Sequence, residues 1–115
     1  MIIKKRDLEA FDFEGLAIRD YTEELPVSSS VAEITVPPGI RHRRAWSRRS
    51  DKYYVVLEGN LSFTLEDRVV ELSAGDLCIV PRGTRFSYEN KTGISARTLL
   101  MHTPSFDLTQ EEFEE

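Results

Sequence analysis

Two histidines, His42 and His102, and one cysteine, Cys78, are the side chains of this 115-residue chain most suited to proton transfer, nucleophilic attack or metal binding near neutral pH. Two histidines cannot build a three-histidine metal centre. One cysteine can form neither an internal disulfide nor a four-cysteine zinc site. Cys78 stands between Leu77 and Ile79 in a short apolar run, the setting of a small core residue and not of a nucleophile. The remaining chemistry is basic: Arg41, Arg43, Arg44, Arg48, Arg49 and Lys52 crowd one window against a single acid, Asp51. That window is strongly cationic although the chain carries a net charge of −5 and ends in Glu111-Glu112-Phe113-Glu114-Glu115. A chain that is acidic overall repels a polyphosphate, so nucleic acid is excluded as a partner, while the local patch could hold one small anion.

The elements that must position these residues are strands. Ser30 to Val36 stops at Pro37-Pro38-Gly39, and Tyr53 to Leu57 is a β-branched and aromatic run ended by Glu58-Gly59-Asn60. Leu61 to Leu65 alternates with period two and turns at Glu66-Asp67 into Arg68 to Leu72. Leu77 to Val80 lies between Ala74-Gly75-Asp76 and Pro81-Arg82-Gly83, and Phe86 to Tyr88 and Thr98 to His102 complete the set. Short strands with turns every 8–12 residues or so predict one all-β domain, a sandwich or barrel. At the C-terminus Thr109-Gln110-Glu111-Glu112 fits a capping box, which predicts a short, weakly helical tail. No apolar run approaches the ~18 residues of a membrane span, and the first residues lack the apolar stretch of a secretory signal. The expectation is a cytoplasmic protein without membrane contact.

The turn residues carry a more specific pattern. Gly39 and Gly59 have the separation of the outer glycines in G-x5-H-x-H-x4-E-x6-G, and Gly75, Pro81, Gly83 and Asn90 fill four of the five fixed positions of G-x5-P-x-G-x2-H-x3-N. These are the two motifs of the cupin superfamily, and residues 30–103 resemble a small, single-domain, bacterial-type cupin. The resemblance implies a jelly-roll β-barrel and a homodimer. It also implies a metal held by two histidines and a glutamate of the first motif and a histidine of the second. In this sequence those positions are Ala45, Ser47, Lys52 and Phe86, which are not a ligand set for a divalent ion, so no metal and no other cofactor is expected.

The resemblance directs the four replaced positions into the barrel, and strand alternation then adds Arg41, Arg43, Tyr54, Val56 and Tyr88 to the inner face. His42, Arg44, Trp46 and Arg48 fall on the outer face, where Trp46 is expected to anchor the subunit interface. His102 could face the cavity or simply end its strand. Lys52 cannot be buried alone. In one reading Lys52 and Arg43 grip a carboxylate or phosphate while Tyr54, Phe86 and Tyr88 line an apolar slot. In the other, Lys52 pairs with Asp51 or Glu58 and the barrel is filled.

The expected ligand site is therefore Arg43, Ser47, Lys52, Tyr54, Phe86, Tyr88 and His102. The expected function is non-catalytic binding of a small organic anion or sugar-like molecule, as a sensor or accessory domain. Two alternatives stand beside it. One is a metal-independent carbohydrate isomerase, epimerase or lyase using Tyr54, Tyr88, His102 and Lys52 for acid–base work. The other is a closed structural or oligomerisation module.

Overall fold

The computed structural model describes residues 1–114. Eleven strands follow in chain order: β1 (Phe11–Phe13), β2 (Leu16–Asp20), β3 (Ser30–Val36), β4 (Arg41–Ser47), β5 (Asp51–Glu58), β6 (Asn60–Leu65), β7 (Arg68–Ser73), β8 (Leu77–Val80), β9 (Phe86–Glu89), β10 (Ala96–Thr103) and β11 (Glu111–Phe113). They form two antiparallel sheets, one ordered β1-β2-β3-β10-β5-β8 and the other β11-β4-β9-β6-β7. The expected all-β architecture is the one observed, and the helical content is two single 3₁₀ turns, Lys5–Asp7 and Leu108–Gln110. No helix of the described residues is long and apolar enough to cross a membrane.

Alternation explains the core. Inward positions of β5 (Tyr54, Val56), β9 (Phe86, Tyr88) and β10 (Ala96, Thr98, Leu100) are buried and the residues between them are more exposed, while on β6 Leu61, Ser62 and Phe63 are all buried. Tyr54, Phe63 and Tyr88 pack with ring centroids 4.9–5.4 Å apart, the spacing of offset and edge-on aromatic pairs. The four glycines expected at turns all adopt left-handed backbone. At Gly59 the requirement is doubled: φ is +78°, and a Cβ there would lie 2.9 Å from the Cα of Ala96, so a side chain would push the β5–β6 turn off β10. Asn90, fully buried, ties the end of β9 to the carbonyls of Val36 and Ile94. Its place in the second motif is thus structural.

The cap of the tail and the parity of one strand are corrected. The short, weakly helical tail is a single turn, Leu108–Gln110, capped by Asp107 and not by Thr109, and Glu111–Phe113 runs on as an edge strand against β4. The second correction lies in β4. Arg41, His42 and Ala45 face Glu89, Tyr88 and Phe86 of β9, so three steps on β4 match two on β9. This is a β-bulge. Its extra residue reverses the parity of everything before it, and His42, assigned to the outer face by strict alternation, turns inward.

Candidate functional site

Between the sheets lies a cavity of about 280 Å³ whose polar lining includes His42, Lys52, Tyr54, Tyr88, His102 and Glu111, with Phe11, Phe13, Phe106 and Phe113 among its apolar walls. That volume sits near the lower end of small-molecule pockets, roughly 300–1,000 Å³. A barrel packed solid is therefore excluded as a description of this chain.

On the six-stranded sheet, Lys52 of β5 stands directly opposite His102 of β10. Register alone brings the ammonium within 2.9 Å of His102 Nε2. The Lys52 ammonium also donates to the carboxylate of Glu111, and both side chains of this ion pair are only 5% exposed. Burial lowers the Lys52 pKa from the usual lysine value, and Glu111 opposes that shift. His102 is lowered to about 3, by burial and then by the neighbouring Lys52 charge. It is a neutral ring whose Nε2 accepts from the ammonium, which leaves its proton on Nδ1.

The five-stranded sheet contributes His42 from the bulged strand. Its Nδ1 lies 2.6 Å from the carbonyl oxygen of Arg43. A carbonyl can only accept, so Nδ1 carries the proton and Nε2 is the ring's proton acceptor. Burial holds the His42 pKa down at about 4. The ring packs against Tyr88 at 5.1 Å, Phe86 at 5.2 Å and Phe13 at 5.8 Å. Tyr88 is fully buried, its hydroxyl makes no hydrogen bond of good geometry among the described residues, and burial raises its pKa beyond the ordinary tyrosine range while the neighbouring Tyr54 hydroxyl opposes that shift. Tyr54 is raised for the same reason. Both phenols stay protonated and can donate to a ligand.

Of the seven residues expected from the sequence, Lys52, Tyr54, Tyr88 and His102 converge on the cavity. Arg43 does not: displaced outward by the bulge, it pairs with Glu14 at 3.0 Å and lies over the Phe113 ring at 4.6 Å. Ser47 points inward but is spent on its own turn, where its Oγ accepts from the amides of Arg49 and Ser50. Phe86 is fully buried behind the cavity wall, 5.4 Å from Lys52 Nζ. The acid paired with Lys52 is neither Asp51, which accepts from the Arg82 amide, nor Glu58, which pairs with Arg97. It is Glu111. Trp46 lies off the cavity, opposite Glu112 and beneath the Arg85 guanidinium at 4.1 Å.

Comparison with known proteins decides the family. A model of the cupin domain matches residues 32–102, more than half of the chain. The chain belongs to the cupin family. Among solved cupins and their relatives, the Streptomyces protein Pac13, described as a nucleoside dehydratase, superposes with a TM-score of 0.86 at 25% identity, covering 100% of this chain and 91% of that one. A variant of Pac13 with a histidine replaced by glutamine has been solved with uridine. KdgF from a Halomonas species shares the fold at 17% identity, with a TM-score of 0.85 over 95% of this chain and 97% of the other. By sequence, 55% of the chain is 38% identical to the endoribonuclease YbeY of Myxococcus xanthus, but it spans about a fifth of that protein's length, 21%.

The metal that many cupins carry does not suit this barrel. The four positions are all buried, but they hold a methyl group, a hydroxyl already accepting two amides, an ammonium and a phenyl ring. No three His, Cys, Asp or Glu side chains of the described residues converge elsewhere.

Proposed function

We propose that this cupin binds a small, uncharged, hydroxyl-rich molecule, a sugar or nucleoside, and eliminates water from it by metal-independent acid–base chemistry. The observation that carries the reading is the pairing of His42, its Nε2 free to accept a proton, with a Tyr88 hydroxyl that lacks a hydrogen bond of good geometry, on one wall of the cavity. Charge argues against an anionic ligand: Lys52 is the one cation among the described lining residues, Glu111 takes it up, and the other lining acid, Asp20, is bonded to Thr22. Likeness to a nucleoside dehydratase over the whole chain supports the same class.

The chemistry follows from the pKa of the base. An imidazole near 4 cannot remove an unactivated C–H proton, so the carbon must neighbour a carbonyl. His42 Nε2 takes that proton, and the electron pair moves onto the carbonyl oxygen as an enolate. Tyr88 and Tyr54, held protonated by burial, donate hydrogen bonds to the developing charge. The enolate then expels the β-hydroxyl, which recovers the proton from the His42 imidazolium and leaves as water. The depressed pKa that makes His42 a modest base makes its cation a strong acid for the second half.

Titration with uridine and with ribose, together with deuterium uptake next to the carbonyl across a panel of keto- and aldehydo-nucleosides and sugars, tests this. His42→Gln is expected to keep probe binding and lower exchange by about 10²–10⁴-fold, the range for losing a general base. Binding without exchange in the native protein would leave a non-catalytic cupin. No response to any probe would leave a structural module.

A further inference from the structure

The acidic C-terminal strand is divided by its own alternation. Glu112 and Glu114 face outward onto Arg48 (3.2 Å) and Arg44 (3.3 Å). Glu111 and Phe113 face inward, where Phe113 packs beside His42 and Glu111 reaches Lys52. Backbone bonds from the Arg48 amide to Gln110 and from the Glu114 amide to Arg44 fix this register against β4. Strand β11 thus sends one carboxylate inward, to the one cation of the described cavity wall, although its neighbouring acids are spent on surface arginines; Asp20, the second acid of that wall, accepts from the amide and hydroxyl of Thr22. Lys52 needs a counterion, because an ammonium so deeply buried cannot stand unpaired. The chain could have left that role to a ligand. It supplies the counterion itself.

We propose that Glu111 sets the charge selectivity of the cavity: by occupying Lys52 it excludes anionic ligands and reserves the site for neutral ones. The inference rests on the cavity being a ligand site, as argued above, but not on any turnover. Without the Glu111 charge, an anion entering from solvent can compensate Lys52, and the same barrel becomes an anion site.

The test uses inorganic phosphate as the anionic probe and uridine as the neutral one, on the full chain, by calorimetric titration and thermal shift. Phosphate is expected not to bind the native cavity. In Glu111→Gln its affinity should rise at least tenfold, and in Lys52→Met/Glu111→Gln that gain should vanish. If Glu111→Gln is recovered only partly folded, refolding by added phosphate that the double variant does not show is the same result. Equal phosphate affinity in native protein and Glu111→Gln overturns the proposal, as does a Glu111→Gln protein that phosphate neither binds nor refolds. A flat uridine response with a phosphate gain in Glu111→Gln strikes only the substrate class. An intact uridine response without that gain strikes only the role of Glu111.

Discussion

On the wall built by β5 and β10, Lys52 and His102 satisfy each other and reach across to Glu111. On the wall built by β4 and β9, His42 and Tyr88 keep polar atoms for which the fold supplies less: a ring nitrogen free to accept a proton, and a hydroxyl with no hydrogen bond of good geometry among the described residues. Buried polar groups are normally paired, and leaving one unpaired costs about 1–3 kcal/mol. The first wall therefore reads as closed chemistry and the second as chemistry waiting for a ligand. Burial alone does not separate them, since Lys52, His102 and Tyr88 are all at most 5% exposed. Partnering does.

The largest effect of a single substitution should come from breaking the closed wall. Lys52→Met leaves Glu111 buried without its cation and is expected to destabilise the fold by about 3–5 kcal/mol in urea titration, whereas Lys52→Met/Glu111→Leu should recover most of that loss. Equal destabilisation by both variants would mean that the pair is not the closed unit described here.

Acid acts on both walls. His42 and His102 have folded pKa values of about 4 and about 3, against 6.5 for an ordinary histidine. Between those limits the unfolded chain binds protons that the native chain refuses, so stability falls as pH drops from about 6.5 towards 4. Each histidine contributes about 1.4 kcal/mol per pH unit. His42→Gln should remove about half of this slope between pH 6 and pH 4.5, and an unchanged slope would contradict its burial as a neutral ring.

The smallest change in stability should be that of Tyr88→Phe. It removes a hydroxyl without a hydrogen bond of good geometry and keeps the ring packing, so the fold should hold within about 1 kcal/mol. Uridine affinity should fall several-fold nonetheless. A large loss of stability would show that the hydroxyl is structural.

The regular strands were readable in the sequence and the irregular one was not. Period-two alternation and the turn glycines are enough to place Lys52, Tyr54, Tyr88 and His102 on the inner face, because β5, β9 and the stretch of β10 from Thr98 onward carry no register shift there. In β4 the same rule required an arginine, Arg43, to be buried. That cost was the available signal: two adjacent arginines before Ala45 cannot both face water in a regular strand, and a bulge relieves the conflict. Glu111 escaped notice because Thr109 to Glu112 suits a helix cap locally. Only pairing with β4, a contact with a strand about sixty residues earlier, makes it a strand.

The place of β10 in the sheet also bears on time. It lies between β3 and β5, and both partners precede it by long stretches of chain. Until residues 96–103 dock, β3 and β5 each present an open hydrogen-bonding edge, and no local hairpin can cover either one. Non-local pairing of this kind places all-β domains in the millisecond-to-second range of folding times, slower than helical domains of similar size. During that interval the exposed edges are the segments most open to pairing with another chain, so yield at high expression should depend more on β10 than on any residue of the cavity.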